Sequence, residues 1–212
     1  MSLFKRIRIL QVNPKDPEKE AIDIAAEIIR NGGLVAFPTE TVYGLGGNLL
    51  NKNVIDRLYK IKRRPADKPL TIHISNIDAV KEMVAHIPPF AQRLIDRFWP
   101  GPLTIILNSK DGKSVGFRMP SNKVALCLIE ASGVPVVAPS ANISGNRPPR
   151  KIEEVLEDLD EGIDMVLDGG PTEVGIESTV VDATSFPCKV LREGAIAEAE
   201  LKEVWRNEEK ED

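Results

Sequence analysis

Residue types that mark many functional sites are scarce in this chain of 212 residues. It contains only two cysteines, Cys127 and Cys188, and two histidines, His73 and His86. Each cysteine lies in an apolar stretch, which is typical of a buried thiol in a reducing compartment. We therefore predict a cytoplasmic protein with no disulfide and no metal ion held by protein side chains alone.

Long hydrophobic runs are also missing. No apolar stretch approaches the ~18 residues that a membrane-spanning helix needs. The N-terminal sequence MSLFKRIRIL lacks the long apolar segment of a signal peptide. We expect no membrane segment and no leader. With 42% hydrophobic residues, the chain suits one globular domain over residues 1–212 that is large enough to bury a core.

Familiar nucleotide-binding motifs are present only in part. Gly112-Lys113-Ser114 resembles the end of a phosphate-binding loop, but the first glycine of that motif would fall at Leu107. The glycines within residues 44–47 resemble a dinucleotide fingerprint, whose third glycine would fall at Leu49. A Ser-His-Asp triad also stays open.

Charge is concentrated in two segments. The whole chain has a net charge of −4, whereas residues 57–68 contain six bases and one acid. Residues 198–212 contain seven acids and three bases, and we predict a solvated acidic tail there. A local basic patch on a nearly neutral body favours an anionic ligand of limited size over a broad nucleic-acid surface.

Hydrophobic periodicity predicts alternating strands and helices, and hence an α/β fold with helices packed on a mixed sheet. The first helix follows Asp16-Pro17 as N-cap and first helical residue, and the second follows Asn51 or Asn53 and ends near Lys62. The glycines of 44–47 are predicted to form a turn. The remaining predicted elements are strands at 7–12, 34–37, 70–74, 103–107, 115–119, 134–138, 165–167, 179–181 and 189–191, and helices at 77–85, 89–98, 124–131, 152–159 and 200–205.

Small polar or cationic residues follow many of these strands. Thr39, Glu40 and Thr41 follow the strand at 34–37, and a Ser/Asn turn follows the strand at 134–138. Each group alone has a plain explanation as a turn, a helix cap or a solvated helix end. Their repetition at strand ends indicates a ligand site on a rigid α/β scaffold.

Seven motifs occur in an order that resembles one family. They are PTETVYGLG, KRRPADKPL with a histidine three residues later, WPGPLT, FRMP, APSANISG, ESTVVD and LREG, between about Ile22 and Arg192. Together they resemble the YrdC-type threonylcarbamoyl-AMP synthases. The resemblance implies an open, twisted mixed β-sheet flanked by helices, with a concave ligand cavity. It also implies the condensation of L-threonine, bicarbonate or CO2, and ATP into threonylcarbamoyl-AMP and pyrophosphate, which a tRNA threonylcarbamoyl transferase complex then uses.

The resemblance assigns roles residue by residue. The family signature falls on Lys62, Arg64, Ser140 and Asn142, and it makes Lys62 and Arg64 the catalytic residues. Arg118 suits the threonine carboxylate, because a guanidinium fork matches a planar anion. The residues implied for ATP, which is a substrate carried with Mg²⁺, are Lys62, Arg64, Lys68, Ser114, Ser140, Asn142 and Arg192. The residues implied for threonine are Thr41, His73, Arg118, Ser178 and the backbone at Ala138, with Thr39 and Tyr43 shaping the pocket and Glu40 structural.

Two departures and two alternatives accompany this interpretation. Asn122-Lys123 stands where the family often has His-Pro, and Pro148 stands where it often has a small residue. A YciO-type paralogue without synthase activity shares the fold, but the complete Lys62/Arg64 and Ser140/Asn142 pairs favour a synthase. An RNA-binding module is the other alternative, which the net charge of −4 and the 5% aromatic content disfavour. We expect at most a weak contact with tRNA.

Overall fold

One ten-stranded sheet organises the molecule. The computed structural model describes residues 7–159 and 162–206. The strands are β1 Arg8–Gln11, β2 Val35–Pro38, β3 Tyr43–Asn48, β4 Thr71–His73, β5 Leu103–Asn108, β6 Ser114–Arg118, β7 Val136–Val137, β8 Met165–Asp168, β9 Thr179–Asp182 and β10 Lys189–Arg192. They lie side by side in the order β1-β8-β2-β3-β7-β4-β6-β5-β9-β10, with parallel and antiparallel neighbours. The predicted class, a mixed open sheet flanked by helices, is confirmed.

Seven helices are seen within 7–159 and 162–206: α1 Lys19–Arg30, α2 Lys52–Ile61, α3 Asp78–Met83, α4 Pro89–Phe98, α5 Lys123–Ser132, α6 Ile152–Leu159 and α7 Glu198–Arg206. The side chain of Asn51 caps α2 by accepting a hydrogen bond from the backbone N–H of Asn53. This selects Asn51 from the two predicted caps. Within the same described ranges, no helix combines the length and hydropathy that crossing a bilayer requires.

Strand alternation separates the two faces of the sheet. Ile72 of β4 is paired with Val137 of β7, and both lie in a core covered by α2, α3, α4, α6 and α7. His73 is paired with Val136, whose side chain lies in the second core under α1 and α5. That second core takes its strand residues from β2, β7 and β8. The neighbouring part of the same face, over β4, β5 and β6, carries polar side chains instead and holds the candidate site.

Strand β3 corrects the prediction of a glycine turn. Residues 43–48 are paired with β2 and β7 and are buried. A Cβ atom on Gly46 would lie 2.7 Å from the Phe37 ring, and one on Gly47 would lie 2.6 Å from Val54. The glycines therefore allow the neighbouring side chains and α2 to approach the strand closely. The low β propensity of glycine hid this strand in the sequence.

Two element ends and one cysteine also differ from prediction. Helix α1 begins at Lys19, not after Asp16, because the Asn13 side chain accepts hydrogen bonds from the backbone of Lys15 and Asp16 and forms a turn there. The helix predicted at 200–205 is observed as α7, which begins two residues earlier, inside the predicted tail, and its buried Leu201 packs into the first core. The remainder of that tail, 207–212, lies outside the described residues. Cys188 is buried as predicted, whereas Cys127 is partly exposed.

Candidate active site

A cavity lies on the polar part of the sheet face. Residues in or next to strands β3 to β7, β9 and β10 contribute to it, so that residues far apart in sequence meet on one rigid surface. The side chains of His73 and Arg118 form its buried end, and those of Arg64 and Arg192 form its exposed end. The lining residues are Thr39, Val42, Tyr43, Gly44, Arg64, Thr71, His73, Thr104, Arg118, Ala138, Pro139, Ser140, Glu177, Ser178 and Arg192.

The buried end contains an arginine bound to a carboxylate. Arg118 Nη2 donates to Glu40 Oε1 and to Thr41 Oγ1, each at 2.8 Å. The Arg118 and Glu40 side chains are only 6% and 5% exposed. Arg118 Nε is buried and has no hydrogen-bond partner. A buried guanidinium N–H without a partner is costly. Because the Arg118 residue lines the cavity, a ligand bound there can supply the missing acceptor.

His73 stands beside Arg118 as a neutral imidazole. The two residues are register partners in the parallel pair β4/β6. Burial and the nearby Arg118 charge lower the pKa of His73 to about 3. Its Nδ1 atom is buried and has no hydrogen-bond partner. The buried end therefore offers one charged donor and one neutral imidazole nitrogen that are not satisfied by the protein.

Hydroxyl groups complete the buried end. Thr104 and Ser178 lie 2.9 Å apart, oxygen to oxygen, and both line the cavity. Thr41 is completely buried and does not line the cavity. Its Oγ1 atom contacts Arg118 and lies 2.9 Å from Thr39 Oγ1, which does reach the wall. Ala138 also lines the cavity.

Lys62 lies behind the cavity wall. Its side chain is 1% exposed, and its Nζ donates to the carbonyl oxygens of Ser140 and Asn142 and, at 3.4 Å, to Asn142 Oδ1. An ammonium group has three hydrogens, so these acceptors use all of its donors. Burial, followed by the charge of Arg64, lowers the pKa of Lys62 to about 8. Lys62 holds the turn at 140–142, whereas its predicted contact with ATP stays a prediction.

The turn after α2 separates Lys62 from Arg64. Arg63 adopts a left-handed backbone conformation with φ of 48°, which costs about 1 kcal/mol for a residue with a side chain. It closes the helix end through a hydrogen bond from Arg64 N to Tyr59 O of 2.9 Å. Pro65 keeps Arg64 out of the helix. The chain therefore sends Lys62 inward and Arg64 to the cavity.

Arg64 is braced by backbone carbonyls. Its Nε donates to Lys68 O at 3.0 Å and its Nη2 to Pro69 O at 2.8 Å. The Lys68 side chain is exposed and does not line the cavity, although its carbonyl helps to orient Arg64. Tyr59 donates its hydroxyl to the same carbonyl of Lys68. Arg64 thus presents a fixed guanidinium at the exposed end.

Arg192 and Glu177 form a second ion pair at the exposed end. Arg192 Nη1 lies 2.7 Å from Glu177 Oε1, with side chains 42% and 33% exposed. Arg192 also donates to the Ser178 carbonyl and hydroxyl. Among the described lining residues, Glu177 is the acidic one. Glu177 lies beside Ser178 in the ESTVVD motif, but no role was predicted for it, because an isolated glutamate before a strand carries no distinctive signal.

The structure brings together only part of the predicted ATP set. Ser140 lines the cavity, and Asn142 lies behind it with its amide donating to the carbonyls of Ile143 and Asn146. Ser114 is exposed at the start of β6. It shares a strand face with Arg118 but lies four residues away, about 13 Å along the strand. Thr104 and Thr71 line the cavity although no role was predicted for them from the sequence.

The arrangement favours binding and charge neutralisation. Three arginines, one neutral histidine and several hydroxyls converge without an activated serine or cysteine among the described lining residues. Guanidinium groups bind carboxylates and phosphates in fixed geometries. Such a site can bind one anionic group at each end of the cavity. It can also stabilise negative charge that develops between them during a reaction.

Comparison with known proteins places this geometry in context. The family model Sua5_yciO_yrdC, described as "Telomere recombination", matches residues 27–194. The threonylcarbamoyl-AMP synthase of Pyrococcus abyssi is 45% identical over 196 residues, which is 88% of this chain and 58% of that relative. The chain therefore spans little more than half the length of this relative.

Two solved structures are similar in fold. P. abyssi Sua5 complexed with L-threonine is 44% identical, with a TM-score of 0.88 over 92% of this chain and 60% of that one. E. coli YciO is 27% identical, with a TM-score of 0.83 over 92% of this chain and 98% of that one. The fold is therefore shared by a threonine-bound protein and by a member of the YciO type.

Proposed function

Since the chain belongs to the Sua5/YciO/YrdC family, we propose that it condenses L-threonine, bicarbonate or CO2, and ATP into threonylcarbamoyl-AMP and pyrophosphate. One observation carries this proposal. The buried end of the cavity holds Arg118 and His73, which are register partners on neighbouring strands and carry one unpartnered buried atom each, Nε and Nδ1; this suits the carboxylate and amine of an amino acid. The similar P. abyssi Sua5 structure contains L-threonine.

Arg118 would hold the threonine carboxylate, and the neighbouring groups would orient its amine and hydroxyl. The amine must be neutral to attack carbon. His73, whose pKa is lowered to about 3, remains neutral at physiological pH and can accept a hydrogen bond from that amine at Nδ1. Ser178 and Thr104 are within reach of the same end. The first step joins the amine nitrogen to the carbon of bicarbonate or CO2 and gives a carbamate, with loss of water when bicarbonate reacts and with release of a proton to solvent when CO2 reacts.

The exposed end would receive the triphosphate. A carbamate oxygen then attacks the α-phosphorus of ATP, and the bond to the β-phosphate oxygen breaks to release pyrophosphate. Arg64, Arg192 and Ser140 line this end and would neutralise the phosphate charge, with Lys62 supporting the Ser140 turn. Positioning and charge neutralisation supply most of the catalysis in transfers at phosphorus.

Mg²⁺ would arrive with ATP and neutralise phosphate charge. Such ions are usually held by one or two carboxylates together with phosphate oxygens. Glu177 is the carboxylate available for this among the described lining residues. It is half-exposed beside Arg192, so it fits an ion carried mainly by the nucleotide.

A direct assay tests the proposal. Purified protein is incubated with ATP, MgCl2 and bicarbonate, and pyrophosphate release is compared with threonine, with serine and without amino acid. We expect release to require threonine and to be weaker with serine. Release that ignores threonine would reject the synthase and favour the YciO-type alternative.

An RNA-binding role is tested in the same preparation. Tight RNA binding that falls steeply with salt, without threonine-dependent turnover, would favour an RNA-binding module. We propose instead that the product passes to a tRNA threonylcarbamoyl transferase complex in the cytoplasm and that any contact with tRNA is weak. Capture of the product by such a complex, with no change in turnover on adding tRNA alone, is the expected result.

A further inference from the structure

Glu40 is a buried carboxylate that faces Arg118 and not the cavity. Its Oε1 accepts from Arg118 Nη2 at 2.8 Å, and its Oε2 accepts from the backbone N–H of Ser121 at 3.2 Å. Glu40 is 4% exposed and does not line the cavity. Both carboxylate oxygens are thus engaged inside the wall. Glu40 has no direct access to a substrate.

The backbone of Glu40 is held as firmly as its side chain. Its carbonyl accepts from Val174 N at 2.9 Å, and the next carbonyl, of Thr41, accepts from Gly175 N at 2.8 Å. The Thr39 hydroxyl closes the same turn by donating to Val42 O at 2.6 Å. The carboxylate therefore stands on a turn that is anchored from two sides, and its position is fixed before any ligand arrives.

The contacts of Arg118 leave one edge of the guanidinium unused. Nη2 is shared between Glu40 and Thr41, while Nε is buried without a partner. A guanidinium is planar and rigid, so fixing Nη2 also fixes the direction of Nε. The unpartnered atom lies in a side chain that lines the cavity. The geometry indicates a ligand-binding edge prepared by the ion pair behind it.

We propose that Glu40 is a positioning residue that holds the Arg118 guanidinium so that its Nε edge meets the threonine carboxylate. This inference rests on the proposed function, because it names how the threonine site is oriented. Glu40 would also balance the Arg118 charge, which lets the arginine remain buried when no substrate is bound. Without Glu40, Arg118 would have to find another partner and would lose its fixed direction.

The opposite hypothesis is that Glu40 competes with the substrate carboxylate for Arg118. If Glu40 merely occupied Arg118, its removal would leave more charge for the substrate and would tighten threonine binding. Two features favour positioning. Glu40 is enclosed, with both oxygens engaged, and the Nε edge is already unoccupied. A substrate carboxylate can therefore bind Arg118 without displacing Glu40.

A double-mutant cycle separates these roles. Threonine and ATP affinities are measured by calorimetry for the unaltered protein, E40Q, R118M and the double variant. We expect E40Q to weaken threonine binding about tenfold or more, as loss of an orienting partner typically does, and to leave ATP binding unchanged. In the R118M background, E40Q should have no further effect on threonine binding. E130Q, on the exposed face of α5, is the matched control.

Several results would overturn the proposal. These are threonine binding by E40Q that equals or exceeds that of the unaltered protein, equal weakening of ATP and threonine, or additive effects in the cycle. Failure of the unaltered protein to bind threonine would instead reject the proposed function.

If the E40Q variant does not fold, a second measurement on the unaltered protein still tests the proposal. In the unaltered protein, the Arg118 Nε–H should give a slowly exchanging NMR signal that is absent in R118K and shifts with threonine but not with ATP. An Nε–H that exchanges as fast as those of exposed arginines would contradict the inference.

Discussion

An arginine–glutamate ion pair lies at each end of the cavity, and the two pairs differ in their exposure to solvent. At the buried end, Arg118 and Glu40 are 6% and 5% exposed, whereas at the exposed end Arg192 and Glu177 are 42% and 33% exposed. A buried pair is strongly coupled and costly to break, while an exposed pair is weak and screened by salt. The buried end is therefore suited to one small ligand, and the exposed end to a flexible polyphosphate.

Removal of the Arg118 charge should produce the largest effect. R118M removes the guanidinium that is proposed to bind the threonine carboxylate, and it leaves Glu40 buried and unpaired. We expect threonine-dependent pyrophosphate release to fall by about 100-fold or more, because truncating one member of a buried charge pair costs several kcal/mol. Steady-state assays should show the loss mainly in KM for threonine. An unchanged KM would contradict the assignment.

Lys62 and Arg64 should both be needed, for different reasons. Arg64→Ala removes a half-buried cation from the wall, so ATP-dependent release should be abolished while the melting temperature stays close to normal. Lys62→Ala removes the donors that hold the 140–142 turn, so activity and stability should fall together. Thermal melts and assays on both variants check this, with Lys52→Ala, exposed on the same helix α2, as control. A Lys62→Ala protein of normal stability would refute the buried role.

The Lys62 ammonium should also leave a signature in stability against pH. Its pKa is lowered to about 8 in the folded protein from an ordinary value of 10.5, so the unfolded chain binds more protons between these values. The free energy of unfolding should therefore rise with pH from about 8 to 10.5, relative to Lys62→Met, by up to about 3 kcal/mol. Urea titrations across this range measure the difference. A flat difference would argue against a depressed pKa.

Glu177→Gln should have the smallest effect. The change releases Arg192 from an exposed carboxylate, so KM for ATP should fall a few-fold at low ionic strength and return towards normal as salt is added. ATP titrations at two salt concentrations, with Glu130→Gln alongside, test this expectation. Loss of turnover that excess MgCl2 restores would instead show that Glu177 is essential for holding the metal ion, and would contradict an ion carried mainly by the nucleotide.

The sequence anticipated the class of fold and most elements, because core strands and amphipathic helices carry clear periodicity. It missed β3, since the glycines of 44–47 are chosen for close packing against Phe37 and Val54 and not for strand propensity. This error is confined to β3. The strands before and after it were predicted correctly.

The candidate site was less predictable than the fold. Motifs pointed to the strand ends that carry His73, Arg118, Ser178 and Arg192, which the structure brings to one cavity. They did not reveal that Lys62 is enclosed, since burial depends on the left-handed turn at Arg63. Nor did they reveal the Arg118–Glu40 contact, because 78 residues separate the partners in sequence.

The most direct test follows the carbon atom of bicarbonate. The protein is incubated with ATP, threonine and carbon-13 bicarbonate. The nucleotide products are then separated, and their masses are measured by mass spectrometry. The account predicts a labelled threonylcarbamoyl-AMP that appears together with pyrophosphate and is absent without threonine. Formation of only unlabelled ADP or AMP, with the same yield whether or not threonine is present, would contradict it.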